Sequence, residues 1–282
     1  MSQSLPQYDR IYFGDCLEVL RHWPEGFADL IYIDPPFNTG QTRRLQTIRL
    51  GRGALLRRGF SGRQYKYQIV SDLSYSDNMP LEEYLDFLYH RILEGWRILK
   101  PTGSFFLHVD PRIVHYARWI LDDVFGAERF INEIIWAYDY GGRPRDRFPP
   151  KHDNILWYAK SDTWTFNVEE IERIPYMAPN LVSPDKAARG KLPTDVWWIT
   201  IVPTNARERT GYPTQKPEKL LERIIRAASR PGDLVVDYFA GSGTTGAVAR
   251  RLGRHWILVD INPQAVAVMQ QRLAAPAIPD AS

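Results

Sequence analysis

Four consecutive residues, Asp34-Pro35-Pro36-Phe37, bring together a carboxylate, two main-chain carbonyls on a stiff backbone and an aromatic ring. Prolines donate no ladder hydrogen bonds and hold φ fixed, so the pair forms a ledge with free carbonyl oxygens. The set suits a flat amine, which needs two acceptors for its N–H groups and a ring face to stack on. A nucleobase with an exocyclic amino group has that shape. The tetrapeptide follows the apolar run Leu30-Ile31-Tyr32-Ile33, which reads as a buried strand. It therefore sits where that strand leaves its sheet.

A second constellation lies far along the chain. Gly241, Gly243 and Gly246 satisfy G-x-G-x-x-G between a predicted strand ending at Asp237 and a predicted helix. Asp260 follows about 20 residues on, at the end of the next strand, where a ribose-binding acid belongs. On this pattern alone an NAD-dependent dehydrogenase fits. A phosphate-binding P-loop does not, because no lysine follows the glycines. Asp237, just before the glycines, sets a negative charge against a pyrophosphate. It is welcome beside a cationic ligand, such as the ammonium or sulfonium of S-adenosylmethionine, and the glycines let the backbone come close.

The elements that must position these groups follow from periodicity. Short strands are predicted at Ile11–Phe13, Leu30–Ile33, Ser104–Val109, Ile131–Tyr138, Ile155–Tyr158, Trp164–Phe166, Leu234–Val236 and Trp256–Val259. Helices are predicted at Cys16–Trp23, from Pro80 along a stripe to Leu99, at Pro217–Ser229, Gly243–Leu252 and Pro263–Ala274. Asp110 and Pro111 read as N-cap and first position of a helix to about Phe125. Residues 39–79 show weak periodicity and read as loop. Read circularly, from Leu234 to the end and then from Ile11, the chain makes four successive βα units. Their strands end at Asp237, Asp260, Asp15 and Asp34, so four carboxylates fall at the carboxyl edge of one parallel sheet, where such folds bind ligands. Asp260 then takes ribose hydroxyls, Asp15 accepts from an adenine amino group, and Asp34 faces the second substrate.

Composition sets the bounds. The 282 residues suffice for one large α/β domain or two small ones, and the net charge is only +3. One cysteine, Cys16, rules out an internal disulfide framework and a cysteine-rich zinc site, and six scattered histidines show no metal spacing, so no metal is expected. Met1–Arg10 lacks the apolar core of a signal peptide, and no run approaches the roughly 20 apolar residues of a membrane span. Charge is uneven, however. Gln41–Gln68 has no acidic residue but carries Arg43, Arg44, Arg49, Arg52, Arg57, Arg58, Arg63 and Lys66, as a phosphate-facing surface would. The alternative is a solvated loop. Between Asp139 and Tyr212 the pattern turns aromatic, proline-rich and irregular, with Arg143, Arg145, Arg147 and Lys151 interleaved among glycines and prolines. It reads as an inserted recognition segment, or else as a capping subdomain.

Together these residues resemble the β-class amino-methyltransferases of DNA, which modify adenine N6 or cytosine N4. In that class a catalytic D-P-P-[YF] motif precedes an F-x-G-x-G cofactor motif, with target recognition between them. Here these match Asp34–Phe37 and Phe239–Gly243. Gly14-Asp15-Cys16 resembles the segment that contacts the cofactor's adenine, and Thr214-Gln215-Lys216-Pro217 the segment that closes over its methionine part. Asn132-Glu133-Ile134-Ile135-Trp136 is similar to the stretch that lines a flipped-base pocket. Tyr238 stands where the family often has proline, a change in loop stiffness more than in chemistry.

The resemblance covers nearly the whole chain. It implies a Rossmann-like, S-adenosylmethionine-dependent methyltransferase fold of the α/β class, circularly permuted, with an inserted target-recognition segment. The expected division is a catalytic half at 1–138 with a basic loop at 41–68, target recognition at 139–212 and a cofactor-binding half at 213–282. Cofactor residues would be Asp15, Cys16, Asp34, Thr214, Lys216, Asp237, Phe239, Ala240, Gly241, Ser242, Gly243, Thr244, Asp260 and Asn262. Catalysis would fall to Asp34, Pro35, Pro36 and Phe37. Arg43, Arg44, Arg57, Arg58, Arg143, Arg145, Arg147 and Lys151 would meet the nucleic acid. Adenine members usually carry Asp at the first motif position and cytosine members Ser, so Asp34 points to adenine N6. The resemblance also implies double-stranded DNA as partner and a prokaryotic cytoplasm or nucleoid as location. A homodimer and a cognate restriction endonuclease enter on resemblance alone. A cytosine N4 enzyme, an RNA or protein-amide methyltransferase, and a DNA-binding module without catalysis are the competing readings beside the dehydrogenase.

Overall fold

The computed structural model describes residues 4–37, 41–58, 64–77 and 79–274, with 41–58 and 64–77 described by their backbone. In chain order the elements are β1 (Arg10–Phe13), α1 (Cys16–Arg21), β2 (Ala28–Ile33), β3 (Gln41–Arg58), β4 (Gln64–Asp77), α2 (Leu81–Ile98), β5 (Leu99–Val109), α3 (Val114–Phe125), β6 (Phe130–Ala137), β7 (His152–Ala159), α4 (Pro184–Arg189), β8 (Val196–Trp198), α5 (Glu218–Ala228), β9 (Leu234–Asp237), α6 (Thr244–Arg251), β10 (His255–Asp260) and α7 (Pro263–Ala274). The chain forms two compact units, Met1–Pro35 with Leu85–Ser282, and Pro36–Tyr84.

The larger unit is built on an eight-stranded sheet in the order β1-β10-β9-β2-β5-β7-β6-β8. The first five strands run parallel; β7 is antiparallel to both neighbours, and β8 is parallel to β6. Strands of a parallel sheet are covered on both faces and read as unbroken apolar runs. Leu30-Ile31-Tyr32-Ile33, Leu234-Val235-Val236 and Ile257-Leu258-Val259 are such runs, and all ten side chains are buried. On one face Leu30, Tyr32, Phe106 and Trp157 share a core with Leu220, Leu221, Ile224 and Ile225, the apolar side of α5. On the other, α2 lies close over β5 and β9. A Cβ at Gly95 would stand 2.5 Å from the Tyr238 hydroxyl and 2.6 Å from the Phe105 ring. Tyr238, in the place of the family's proline, is fully buried and donates to Arg91 O at 2.9 Å. It therefore fastens the turn after β9 to α2.

The permuted reading holds. Taken from β9, the units β9, β10, β1 and β2 lie side by side with their chain ends at one edge. Residues 139–212 belong to the larger unit and supply two strands of its sheet: β7 is inserted between β5 and β6, while β8 forms the far edge.

Four expectations need correction. The stretch read as loop at 39–79 contains the antiparallel ribbon β3–β4, whose pairs run from Gln41 opposite Asp77 to Arg58 opposite Gln64. A two-stranded ribbon pairs through its main chain and needs no apolar stripe, so its sequence carries little periodic signal. Trp164–Phe166 is not a strand. Phe166 packs against Trp157, and Asn167 donates from its amide and side chain to Ala227 O, Arg226 O and Ser229 O, at 2.7–2.9 Å. The helix predicted from Asp110 begins at Val114, because the Asp110 side chain accepts from Arg112 N in a turn of its own, at 2.9 Å. Leu99, counted with the helical stripe, opens β5.

Candidate active site

β9 and β2 are adjacent parallel strands from which the chain winds in opposite directions, β9 toward β10 and β1, and β2 toward β5. This is the switch point at which open α/β sheets leave a crevice beyond their strand ends. Asp237 closes β9 and Asp34 follows β2, so the two carboxylates flank that crevice. Asp260 and Asp15 stand at the ends of β10 and β1 alongside them.

Asp34 is ion-paired to Lys216. The Lys216 ammonium donates to Oδ2, with the two side chains 12% and 17% exposed for lysine and aspartate. Lys216 is held by the turn that carries it. Its carbonyl accepts from Thr244 Oγ1 at 3.1 Å, while Gln215 accepts from Thr210 N and donates to Glu208 O. Glu208 in turn accepts from Glu218 N at the start of α5. Thr214, in the same turn, is exposed. Pro35 is buried. Within the smaller unit the Pro36 carbonyl accepts from the Tyr84 hydroxyl at 2.6 Å, so one of its two lone pairs is already engaged.

The glycine turn has a built interior. Asp237 is buried, with its oxygens accepting from Phe239 N (3.0 Å) and Thr245 Oγ1 (2.6 Å). Burial pushes its carboxyl up to about 7, against those two bonds and with help from the charges of Asp34 and Asp260. The Asp237 side chain is turned inward and shapes the turn. Asp260 accepts from Gly241 N at 2.7 Å and Asn262 N at 2.8 Å, and burial raises its carboxyl. Each carboxylate oxygen has a second lone pair, so these bonds leave Asp260 capacity to accept a hydroxyl. Asn262 caps α7 through Gln264 N. Gly241 and Gly243 lie in the left-handed region, with φ of 51° and 72°. A Cβ on Gly243 would meet Met269 at 2.8 Å, and one on Gly246 would meet Leu258 at 2.7 Å, so these two glycines let α6 and α7 close on the sheet. A Cβ on Gly241 would meet the Tyr212 ring at 3.3 Å, so Tyr212, which sequence reasoning left out, borders the turn. Ala240, Ser242 and Thr244 are buried, and Phe239 is half-buried against Phe87.

The β1 side of the crevice was only partly foreseen. Asp15 caps α1 through Leu17 N at 2.8 Å and is paired with Arg91 Nη2 at 2.8 Å. Arg91 lies 3.8 Å over the Phe87 ring. Cys16 is buried, and burial pushes its thiol up to about 11, so its side chain serves packing.

Behind Asp34, on the same face of β2, lies an array with no local sequence signature. His108 Nε2 lies 3.2 Å from Asp153 Oδ2, and its Nδ1 lies 2.7 Å from the Tyr32 hydroxyl. The Tyr138 hydroxyl donates to Asp153 Oδ1 at 3.1 Å. Burial pushes the Asp153 carboxyl up, but the His108 bond, the charges of His108 and Lys216, and Tyr138 outweigh it and leave it below the usual range.

β6 runs parallel to β5, so the loop after Ala137 leaves the sheet at the edge that carries Asp34. Arg143, Arg145 and Arg147 are exposed there; Arg143 faces Asp139 at 3.5 Å and Arg147 pairs with Asp146 at 2.7 Å. Lys151 donates to Tyr140 O and Gly142 O and so fastens the loop. Arg43, Arg44, Arg57 and Arg58 fall on the ribbon, where their side chains lie outside the described positions.

Donors and acceptors at this edge fit S-adenosylmethionine. The turn presents main-chain groups at glycines, Asp260 has lone pairs for hydroxyls, and a carboxylate paired with a lysine stands beyond. The comparisons agree with that chemistry. Residues 28–271 match the N6/N4 methyltransferase model described as DNA methylase. The Type II methyltransferase M.HpaI of Haemophilus parainfluenzae is 31% identical over 265 residues, covering 94% of this chain and 74% of that one. M.BglII of Bacillus subtilis is 29% identical over 285 residues, covering 94% and 69%. Among solved structures, the cytosine-N4-specific PvuII DNA methyltransferase superposes with a TM-score of 0.67 at 21% identity, over 97% of this chain and 89% of that one. The M1.HpyAVI–SAM complex superposes with 0.57 at 20% identity, over 94% and 99%. By its motifs, its sheet order and these matches, the chain belongs to the N6/N4 DNA methylase family.

Proposed function

We propose that the protein transfers the methyl group of S-adenosylmethionine to the exocyclic N6 of adenine in a short duplex DNA sequence, after the base has been flipped out. The observation that carries this reading is the meeting of Asp34 and the glycine turn at the one switch point of the sheet. The cofactor supplies a methyl carbon on a sulfonium centre. Asp260 would take its ribose hydroxyls, the segment Asp15-Cys16 would hold its adenine, Phe239–Thr244 with Asn262 would line its site, and Thr214 would hold its methionine end.

An aromatic amine is a weak nucleophile because its lone pair is delocalised into the ring. Bonds from its two N–H groups to the Asp34 carboxylate and the Pro35 carbonyl favour a pyramidal nitrogen with a localised lone pair. Positioning is the main contribution, and Asp34 stabilises the positive charge that develops on nitrogen. The proton leaves after transfer, so no strong base is needed. Phe37 offers the stacking face. A duplex hides this amine within its stack, which is why the base must leave it. Arg143, Arg145 and Arg147, at the same edge, and the ribbon arginines are assigned to phosphates, and residues 139–212 to target recognition. A homodimer and a cognate restriction endonuclease remain part of this proposal.

The aspartate at position 34 favours adenine, following the family resemblance. Cytosine N4 is the second reading, favoured by the fold likeness to the cytosine-specific PvuII enzyme. Methylating genomic DNA with labelled S-adenosylmethionine, then digesting it to nucleosides for mass spectrometry, separates the two. N6-methyladenine is the expected product; N4-methylcytosine alone would overturn the assignment.

A further inference from the structure

We propose that Lys216 is a positioning residue for Asp34, holding one oxygen of the carboxylate so that the other faces the target amine. The inference rests on the function proposed above and gives Lys216 a role apart from cofactor binding.

Three observations carry it. First, the Lys216 ammonium bonds to Asp34 itself, through Oδ2, in a half-buried setting where neither side chain is swept by solvent. A carboxylate at the end of a strand turns freely about its terminal torsion, which is broad and roughly two-fold. A fixed cation on one oxygen removes that freedom. Second, the lysine's main chain is immobilised from two sides. Thr244 at the start of α6 bonds its carbonyl, and Gln215 and Glu208 tie its turn to the start of α5. A side chain meant to swing between partners gains nothing from such a mount; one meant to hold a group in place does. Third, Lys216 feels the charge of Asp153, which His108 and Tyr138 hold in a buried array running on to Tyr32, two residues before Asp34 in β2. Removing the ammonium takes away the cation that faces Asp34 and leaves the carboxylate exposed to the charge of Asp237. Mutual repulsion then turns it toward water.

Positioning predicts a different kinetic signature from cofactor binding. A reacting group displaced by about 1 Å costs about 100-fold in rate, whereas loss of a cofactor ligand weakens affinity. The test uses the full-length protein, duplex genomic DNA and tritiated S-adenosylmethionine, comparing wild type with Lys216→Met, Lys216→Arg and Asp153→Asn. Each is also measured for S-adenosylmethionine affinity by calorimetry and for thermal unfolding. The expected result is a kcat lowered about 100-fold in Lys216→Met with cofactor affinity within about threefold of wild type. Lys216→Arg should restore at least about tenfold of the loss, since a cation remains, and Asp153→Asn should lower kcat in the same direction by less. An unchanged kcat with affinity lost would make Lys216 a cofactor ligand and overturn the proposal. So would equal losses in Lys216→Met and Lys216→Arg when both unfold at the wild-type temperature. Should Lys216→Met fail to fold, Lys216→Arg and Asp153→Asn still decide: wild-type kcat in Asp153→Asn together with full loss in Lys216→Arg refutes the role of charge. Wild-type protein that methylates no DNA would instead refute the proposed function, a distinct outcome.

Discussion

At the scale of single residues, the crevice separates carboxylates that reach outward from one that does not. Asp34 is the group assigned to the amine, so Asp34→Ala should lower methyl transfer by about 1,000-fold while leaving S-adenosylmethionine affinity nearly intact; tritium transfer and calorimetry on the same preparation check both halves. Asp260→Ala should weaken cofactor binding by about tenfold or more, the scale of hydrogen bonds to a charged group, and unchanged calorimetric affinity would remove its ribose role. Asp237 behaves differently, because its carboxyl is raised by burial to about 7. Between its unfolded value near 3.9 and about 7 the folded state holds the proton more tightly than the unfolded chain. The stability this contributes is therefore complete below the unfolded value and lost as pH rises through about 7. Asp237→Asn cannot ionise, and its amide can still accept from Phe239 N while donating to Thr245. The melting temperature of Asp237→Asn should gain on wild type as pH is raised from about 4 to about 8; a pH-independent difference would show that burial does not set the Asp237 charge.

At the scale of elements, legibility followed from whether a segment's partners leave a local trace. β2, β9 and β10 are covered on both faces, and Leu30–Ile33, Leu234–Val236 and Ile257–Val259 announced themselves as apolar runs. The glycine turn was legible because Gly243 and Gly246 are demanded by the close approach of Met269 and Leu258. The ribbon β3–β4 was not legible, since a two-stranded ribbon pairs through its main chain and needs no apolar stripe. Trp164–Phe166 misled because the Phe166 ring packs against Trp157 without strand pairing. At the crevice, Asp34 and Asp260 could be found from motif and spacing, whereas Arg91, Tyr212 and the pair His108–Asp153 could not: their partners lie dozens of residues away. Gly95 makes the same point inside a helix, where its lack of a side chain is explained only by Tyr238 and Phe105. Gly95→Ala should lower unfolding stability by about 1–3 kcal/mol through overpacking, despite alanine's better helix propensity. Urea denaturation checks the sign, and a stabilised variant would mean that α2 can withdraw from β5 at no cost.

At the scale of the whole molecule, the modest net charge of +3 conceals strong segregation. The arginines of 41–68 are matched by no acid in that stretch, and the loop after β6 exposes three more. Neutralising Arg57 and Arg58 together, as glutamines, should weaken binding to duplex DNA and flatten the slope of log affinity against log salt by up to about 1.8, about 0.9 for each phosphate that is no longer neutralised. An unchanged slope would place both residues away from the backbone of the nucleic acid.

The register of the two middle strands has a further consequence, for synthesis. Leu30 pairs beside Val235 and Ile31 beside Val236, so the heart of the sheet joins two stretches made far apart in time. While the ribosome works through the intervening two hundred or so residues, β2 waits with one oily flank unzipped. Such long-range pairing is slow and leaves sticky intermediates exposed. The nascent chain is thus a natural client for a holding chaperone, and the crevice cannot form until β9 has emerged and slid into the gap.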